Sequence, residues 1–146
     1  WTTIYVVLSG LNEIAAYAVD ASGALAPVPG SPFMAGRGPA SLLAYNSFLY
    51  ALNGLDHTIS AYSVDQNTGV LTEIPGSPFP AGTAVAGLIT GNGGVLYVPD
   101  TQSKRILAFS VDGSTGSLAP LPGSPFPTSV GPVALTRVVF PILTPP

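Results

Sequence analysis

Short stretches of the chain alternate apolar with polar or small residues, which is the two-residue period of half-buried β-strands. No stretch keeps the spacing of an amphipathic helix, and Gly or Pro interrupts the pattern about every ten residues. The pattern therefore predicts an all-β chain in which no helix is longer than one turn.

The same pattern occurs three times. A Gly-Ser-Pro-Phe motif begins at Gly30, Gly76 and Gly123, at spacings of 46 and 47 residues. Matched segments ending in Asp precede each motif, at 14–20, 59–65 and 106–112. A fixed period of this length indicates a repeat architecture, and four short strands per period are typical of β-propeller blades.

Four strands, A to D from the inside of a blade outwards, can be assigned in each period. The predicted A strands are 39–45, 85–89 and 132–139, and the B strands are 4–8, 48–52 and 95–98. The C strands are 13–19, 58–64 and 105–111, and the short D strands are 24–29, 70–74 and 117–121. Asp20, Asp65 and Asp112 each begin a C–D turn that Gly closes, so turn capping is favoured over a calcium array.

The chain is interpreted as one repeat domain, 1–146. Residues 1–38 supply strands B, C and D of blade 1, 39–84 form blade 2, and 85–131 form blade 3. Residues 132–146 add an inner strand for a neighbouring blade and a tail. Within each period, Tyr5, Tyr50 and Tyr97 are expected at one equivalent position, and Tyr17, Tyr62 and Phe109 at a second.

The amino-acid composition limits the kinds of partner that the chain can bind. Hydrophobic residues make up 47% of the chain and charged residues only 8%, with a net charge of −3. A basic patch for nucleic acid is absent from the sequence, and no apolar run reaches the roughly 20 residues of a membrane helix. The chain has no Cys and one His, so we predict neither a metal site nor a cofactor.

These motifs resemble the lactonase-like β-propellers, related to 6-phosphogluconolactonase, and the YVTN-type repeat proteins. The resemblance rests on the Leu-Tyr-Val strand at Leu96, the Ser-Val-Asp end of strand C at Ser110, the Pro-Gly-Ser-Pro-Phe links, and Gly-Pro before strand A at Gly38 and Gly131. It implies seven blades, whereas this chain holds about three. The Asp-Pro-x-Gly turn common between strands A and B of the family is also missing.

The strand count predicts contact with other copies. Three blades would each have to turn about 120°, outside the roughly four to eight blades that close around an axis. The inner strand 132–139 could instead complete blade 1 of a second copy and close a ring or continue as a filament. The residues assigned to this assembly are Tyr5, Val133, Leu135, Arg137 and Val139.

Few residues suggest chemistry. Ligand sites of propellers usually lie at the axis, on the face that carries the B–C loops and the D–A links. The catalytic candidates there are His57, Glu13 and Arg37, and the binding candidates are Asp56, Asp100 and Arg105. The resemblance implies a His, Glu and Arg constellation, but no local motif places those roles on this chain. For each candidate, the alternative interpretation is a solvated loop residue with no functional role.

Three functions remain open. The favoured one is a non-enzymatic structural propeller module that assembles with itself, as a filament or ring. A lactonase-family hydrolase, as a fragment or assembled from several chains, is the alternative, together with a propeller that binds a glycan or peptide. The missing initiator Met and the lysine-poor composition favour an extracellular or secreted protein.

Overall fold

The computed structural model describes residues 2–85, 87–90 and 93–136. Within these residues it contains 14 β-strands and no helix. The strands form three antiparallel sheets that follow one another along the chain. The predicted all-β architecture of propeller blades is confirmed.

Each sheet corresponds to one repeat. Blade 1 contains β1 (Thr2–Leu8), β2 (Glu13–Val19), β3 (Leu25–Pro27) and β4 (Phe33–Met34). Blade 2 contains β5 (Pro39–Tyr45), β6 (Phe48–Asn53), β7 (Thr58–Val64), β8 (Leu71–Glu73) and β9 (Phe79–Pro80). Blade 3 contains β10 (Ile89–Thr90), β11 (Val95–Asp100), β12 (Arg105–Val111), β13 (Leu118–Pro120) and β14 (Phe126–Pro127).

The outer edge of each blade differs from the single D strand predicted for it. Strand C pairs first with a three-residue strand and then with a two-residue strand that begins at the Phe of the Gly-Ser-Pro-Phe motif. Between them, the motif's Ser31 accepts a hydrogen bond at Oγ from the amide of Ala16, at 2.8 Å. Ser77 and Ser124 repeat this contact with Ala61 and Ala108. The motif therefore recurs because its hydroxyl replaces a missing ladder partner.

One predicted inner strand is corrected, and the other, which is expected to pair with a second copy, stays a prediction. The strand expected at 85–89 is reduced to β10 and an isolated bridge between Val85 and Asp100. Gly87, a poor strand former, lies between them. In the segment 132–139, residues 132–136 form no strand, and 137–139 lie outside the described residues. The backbone of a strand needs a partner strand, and no described strand of this chain pairs with the segment.

Strand registers confirm both sets of equivalent aromatic residues. Tyr5, Tyr50 and Tyr97 each lie opposite an alanine of strand C, namely Ala16, Ala61 and Ala108. Tyr17, Tyr62 and Phe109 lie opposite the preceding B-strand residue, namely Ile4, Leu49 and Leu96. The repeat alignment is therefore correct at the level of single residues.

The core lies between the blades. One cluster places Leu49 and Ala51 of β6 with Ile14 of blade 1. The other places Tyr50 and Leu52 of the same strand with blade 3. Successive side chains of a strand point to opposite faces, so β6 contributes to both clusters and all six of its residues are buried. Blade 2 is thus covered on both faces.

Candidate functional site

The B–C loops and D–A links meet at one end of the blades, which we call the loop face. It consists of loops 9–12, 54–57 and 101–104, links 35–38 and 81–84, and the first residue of each C strand. Asn12, His57 and Lys104 are equivalent loop residues, and their φ angles of 59°, 56° and 51° are all left-handed. Asn and His are enriched in this backbone conformation, whereas Lys is uncommon there and pays about 1 kcal/mol for it.

Arg37 is fixed at its backbone and free at its side chain. Its amide donates a hydrogen bond to Asp56 Oδ2 at 2.7 Å, and the amide of Gly38 donates to Asn12 Oδ1 at 2.9 Å. Link 35–38 is therefore tied to loops of both blades. The guanidinium lies 3.9 Å from Asp56 Oδ1 while 72% of the Arg37 side chain is exposed, so it can contact a ligand.

Asp100 holds the second link in place. The carboxylate is fully buried and accepts hydrogen bonds from Arg105 Nε at 3.0 Å, from Thr83 Oγ1 at 3.1 Å and from the amide of Ala84 at 3.2 Å. Burial alone would raise the pKa of Asp100, but the hydrogen bonds from Ser103, Thr83 and Arg105 outweigh it and hold this pKa well below its usual range. Asp100 is therefore a charged anchor for link 81–84.

Asn53 occupies the equivalent position in blade 2. Its side chain is fully buried, and Nδ2 donates to Thr58 Oγ1 and Ser60 Oγ at 3.1 and 2.9 Å. Oδ1 has no hydrogen-bond partner among the described residues. Thr58 stands where blade 3 has Arg105. The sequence analysis missed Asn53, although aligning the last residue of each B strand would have paired it with Asp100.

The catalytic candidates are only partly brought together. Arg37 and His57 belong to the same junction, because Asp56, which holds the Arg37 backbone, immediately precedes His57. The His57 side chain is exposed, and Glu13 is half-buried at the start of β2. Neither ion pair of the described residues, Arg37 with Asp56 or Arg105 with Asp100, includes His57 or Glu13. The His, Glu and Arg constellation is therefore not joined by direct contacts in these blades.

The C–D turns lie at the opposite end of the blades. Asp20, Asp65 and Asp112 each accept a hydrogen bond at Oδ1 from the amide two residues later, at 2.7 to 2.8 Å. This geometry confirms turn capping. In the described parts of the chain, no three His, Asp or Glu side chains are grouped closely enough to hold a metal ion.

The assembly candidates have different environments. The Tyr5 hydroxyl donates to the carbonyl of Gly69 in blade 2 at 2.8 Å, so this side chain joins blades within the chain. Val133 is 74% exposed and Leu135 is half-buried. Arg137 and Val139 lie outside the described residues. Residues 2–85, 87–90 and 93–136 include no helix with the length and apolar character to cross a membrane.

Comparison with solved structures supports the fold. The periplasmic gluconolactonase of Pseudomonas aeruginosa aligns with a TM-score of 0.78 and 21% identity over 95% of this chain and 40% of its own. A predicted 6-phosphogluconolactonase from Bacteroides fragilis aligns with a TM-score of 0.78 and 23% identity, over 90% of this chain and 37% of its own. A protein of unknown function from Desulfotomaculum acetoxidans aligns with a TM-score of 0.70 and 17% identity, over 82% of this chain and 37% of its own.

These alignments establish the class of fold, that of lactonase-like β-propeller blades. This chain spans about two fifths of the length of these structures. No protein-family model and no curated protein sequence matches it.

Proposed function

We propose that the chain supplies three blades of a lactone-hydrolysing propeller whose ligand binds at the loop face. The observation that carries this proposal is the location of the basic side chains. Every Arg, Lys and His of the described residues lies on that face: Arg37, His57, Lys104 and Arg105. The capping carboxylates of the C–D turns lie at the other end. The carboxylates of Glu13, Asp56 and Asp100 lie on the same face, so its net charge is close to zero. Arg105 is paired with Asp100, but 72% of the Arg37 side chain is exposed. This exposed guanidinium suits a substrate that is anionic or develops negative charge on a carbonyl oxygen.

The gluconolactonase and 6-phosphogluconolactonase names of the similar structures support this substrate class. A sugar lactone is an electrophile whose carbonyl oxygen becomes negative when water adds, and a phosphorylated one also carries anionic oxygens. Arg37 is suited to bind either group, because a guanidinium donates two parallel hydrogen bonds. Arg105 is less available, since Asp100 already holds it.

His57 is assigned the proton transfer. Its imidazole would take a proton from water as the water oxygen bonds to the lactone carbonyl carbon. The ester bond to the ring oxygen then breaks, and that oxygen receives the proton, so that the products are a carboxylic acid and a hydroxyl group. Arg37 would stabilise the intermediate oxyanion. Arg37 and His57 lie at one junction, because the Arg37 amide donates to the carboxylate of Asp56, the residue that precedes His57.

The test measures, in a pH-stat, the release of acid from glucono-δ-lactone and from its 6-phosphate. We expect the wild-type protein to release acid faster than spontaneous hydrolysis does. We expect His57→Gln to lower kcat by roughly 100-fold. Arg37→Gln should lower kcat for both lactones, because the oxyanion loses its donor, and should in addition raise KM for the phosphorylated lactone. Gln66→Ala, an exposed change in a C–D turn at the opposite end, is the matched control. A wild-type rate equal to the spontaneous one, or unchanged rates in both variants, would overturn the proposal.

A structural role is the second candidate, because no described residue of this chain covers one face of blade 1 and one face of blade 3. Binding of a glycan on exposed tyrosine rings has less support. Tyr50, one of the three equivalent tyrosines, is fully buried, and its hydroxyl donates to the carbonyl of Gly116 at 2.8 Å. For location we propose a compartment outside the cytoplasm, and similarity to a periplasmic protein supports it.

A further inference from the structure

Both blade interfaces within the chain use the same contact. A B-strand Tyr donates its hydroxyl to the carbonyl of the glycine that closes the next blade's C–D turn. Tyr5 does so with Gly69 and Tyr50 with Gly116, each at 2.8 Å. The contact is part of the repeat, so it defines what one blade offers to the next.

The glycine side of this contact is uncovered in blade 1. Gly69 and Gly116 are buried, and a Cβ at Gly69 would lie 2.8 Å from Thr3 Oγ1. A Cβ at Gly116 would overlap the ring of Phe48. The equivalent Gly23 is exposed and has no such neighbour within 4 Å. Blade 1 therefore presents the turn without the strand that covers it.

The tyrosine side is uncovered in blade 3. Val95 and Tyr97 occupy the positions of Phe48 and Tyr50 in the strand register. Tyr97 is half-buried, whereas Tyr50 is fully buried. Among the described residues, no hydrogen-bond acceptor contacts the Tyr97 hydroxyl. Blade 3 therefore offers the donor, and blade 1 the acceptor, of a third contact of the same kind.

The uncovered face of blade 1 is also apolar. Ile4, Val6 and Leu25 are 41%, 39% and 53% exposed. Their equivalents in blade 2, Leu49, Ala51 and Leu71, are 2%, 0% and 6% exposed because blade 1 covers them. A groove of about 640 Å³ lies beside the C–D turn of blade 1, and its lining includes Val19 and Leu25. The face has the composition of a blade interface that lacks its second half.

We propose that blade 3 of one copy docks on blade 1 of a second copy, with the Tyr97 hydroxyl donating to the Gly23 carbonyl of that copy. A second copy is the occupant because its exposed turn and strand are the two halves of the interface that this chain forms internally twice. The contact is heterologous, since different surfaces meet, and it leaves a free end on each copy. It requires no exchanged strand and does not depend on lactone hydrolysis.

The proposal is tested by analytical ultracentrifugation of the 146-residue chain across a concentration series. We expect the mean mass to rise with concentration. Leu25→Glu places a charge on the blade 1 face and Val95→Lys one on the blade 3 face, and each should weaken association at least roughly tenfold. Tyr97→Phe should weaken it by about two- to tenfold through the lost hydrogen bond. Leu11→Glu is the matched control, because Leu11 is 65% exposed in a loop of blade 1.

Mixing distinguishes this contact from other modes of association. The Leu25→Glu chain keeps a normal blade 3 face and the Val95→Lys chain a normal blade 1 face. An equimolar mixture should therefore form a heterodimer at concentrations where each chain alone, with its association weakened at least roughly tenfold, is monomeric. Circular dichroism of each variant verifies that it is folded. A wild-type chain that stays monomeric, or a mixture of folded variants that does not pair, overturns the proposal. The proposal is also overturned if the wild-type chain forms a symmetric dimer that either substitution blocks and that mixing does not restore.

Discussion

Blades 1 and 2 share one sequence pattern and one strand register, yet their side chains have different environments. Leu71 is 6% exposed and its equivalent Leu25 is 53% exposed. Both follow a C–D turn and pair with the last residue of strand C. The difference arises because blade 1 packs against Leu71, whereas no described residue of this chain packs over Leu25. A repeat determines which side chains face a neighbour, and the neighbour determines how much they stabilise.

The largest effect is expected from shortening these two leucines. Leu71→Ala removes buried methyl groups between blades and should cost about 2–4 kcal/mol of unfolding free energy. Leu25→Ala should cost less than about 1 kcal/mol, because most of the side chain is already in water. Urea unfolding at concentrations where the chain is monomeric measures both. Equal costs would show that the uncovered face of blade 1 is buried in some other way.

The turn glycines give the next largest difference. Alanine at Gly116 must adopt a φ of +75° and displace the Phe48 ring, so we expect a loss of roughly 2–3 kcal/mol. Alanine at Gly23 meets only the backbone cost, about 1 kcal/mol at a φ of +85°. The shift in urea midpoint of each variant is the measurement. The comparison fails if Gly23→Ala is the more destabilising of the two.

Removing single hydroxyls should have a smaller effect. Tyr50→Phe leaves the buried carbonyl of Gly116 without its donor and should cost about 1–2 kcal/mol. Burial raises the pKa of Tyr50 to about 12, which agrees with a hydroxyl held away from water. Tyr97→Phe should leave the stability of the monomer within about 0.5 kcal/mol of wild type. Thermal unfolding of both variants at low protein concentration tests this prediction. A loss of stability in Tyr97→Phe without one in Tyr50→Phe would contradict it.

The smallest effect concerns the C–D turns, because the same capping carboxylate recurs in all three blades and faces water in each. Hydrogen bonds from Ser114 and Thr115 lower the pKa of Asp112 to about 2, and those within their own turns lower the pKa values of Asp20 and Asp65. A carboxylate with a lowered pKa stabilises the fold above the pKa of about 4 that Asp has in an unfolded chain. This stabilisation is lost as the pH falls towards 2.

Asparagine at any of the three positions should therefore flatten the decline of stability between pH 5 and pH 2, and most at Asp112, whose pKa is lowered to about 2. Urea midpoints measured across that range give the result. A much larger effect at Asp65 than at Asp20 would mean that the neighbouring blade contributes to the turn.

Several parts of the fold could be predicted from sequence because they are local. The C strands 13–19, 58–64 and 105–111 agree with β2, β7 and β12 to the residue, since period, turn residues and repeat all point to the same bounds. The inner strand of blade 3 could not be predicted so well. Its segment is apolar but contains Gly87, and packing and pairing decide whether such a segment keeps its ladder. There the ladder is reduced to two residues and a bridge.

The candidate site shows the same division. Asp56, His57, Asp100 and Arg105 could be singled out by residue type and loop position. Their partners could not, because Thr83 is 17 residues from Asp100 and contacts it only when link 81–84 crosses between blades. Asn53 was missed because an amide at the end of a strand is common in sequence and becomes unusual only when it is buried.

The amino-acid sequence by itself determined the blade type, the register that equates Tyr5, Tyr50 and Tyr97, and the capping of the C–D turns by Asp20, Asp65 and Asp112. These features depend on contacts between residues close in the chain or repeated along it. Only the tertiary structure decided that Asp100 is an anchor, that Asn53 Oδ1 is buried without a partner among the described residues, and that Gly23 and Tyr97 are uncovered. Burial and hydrogen bonding at these positions depend on whether another blade packs against them, and a one-dimensional pattern does not contain that information.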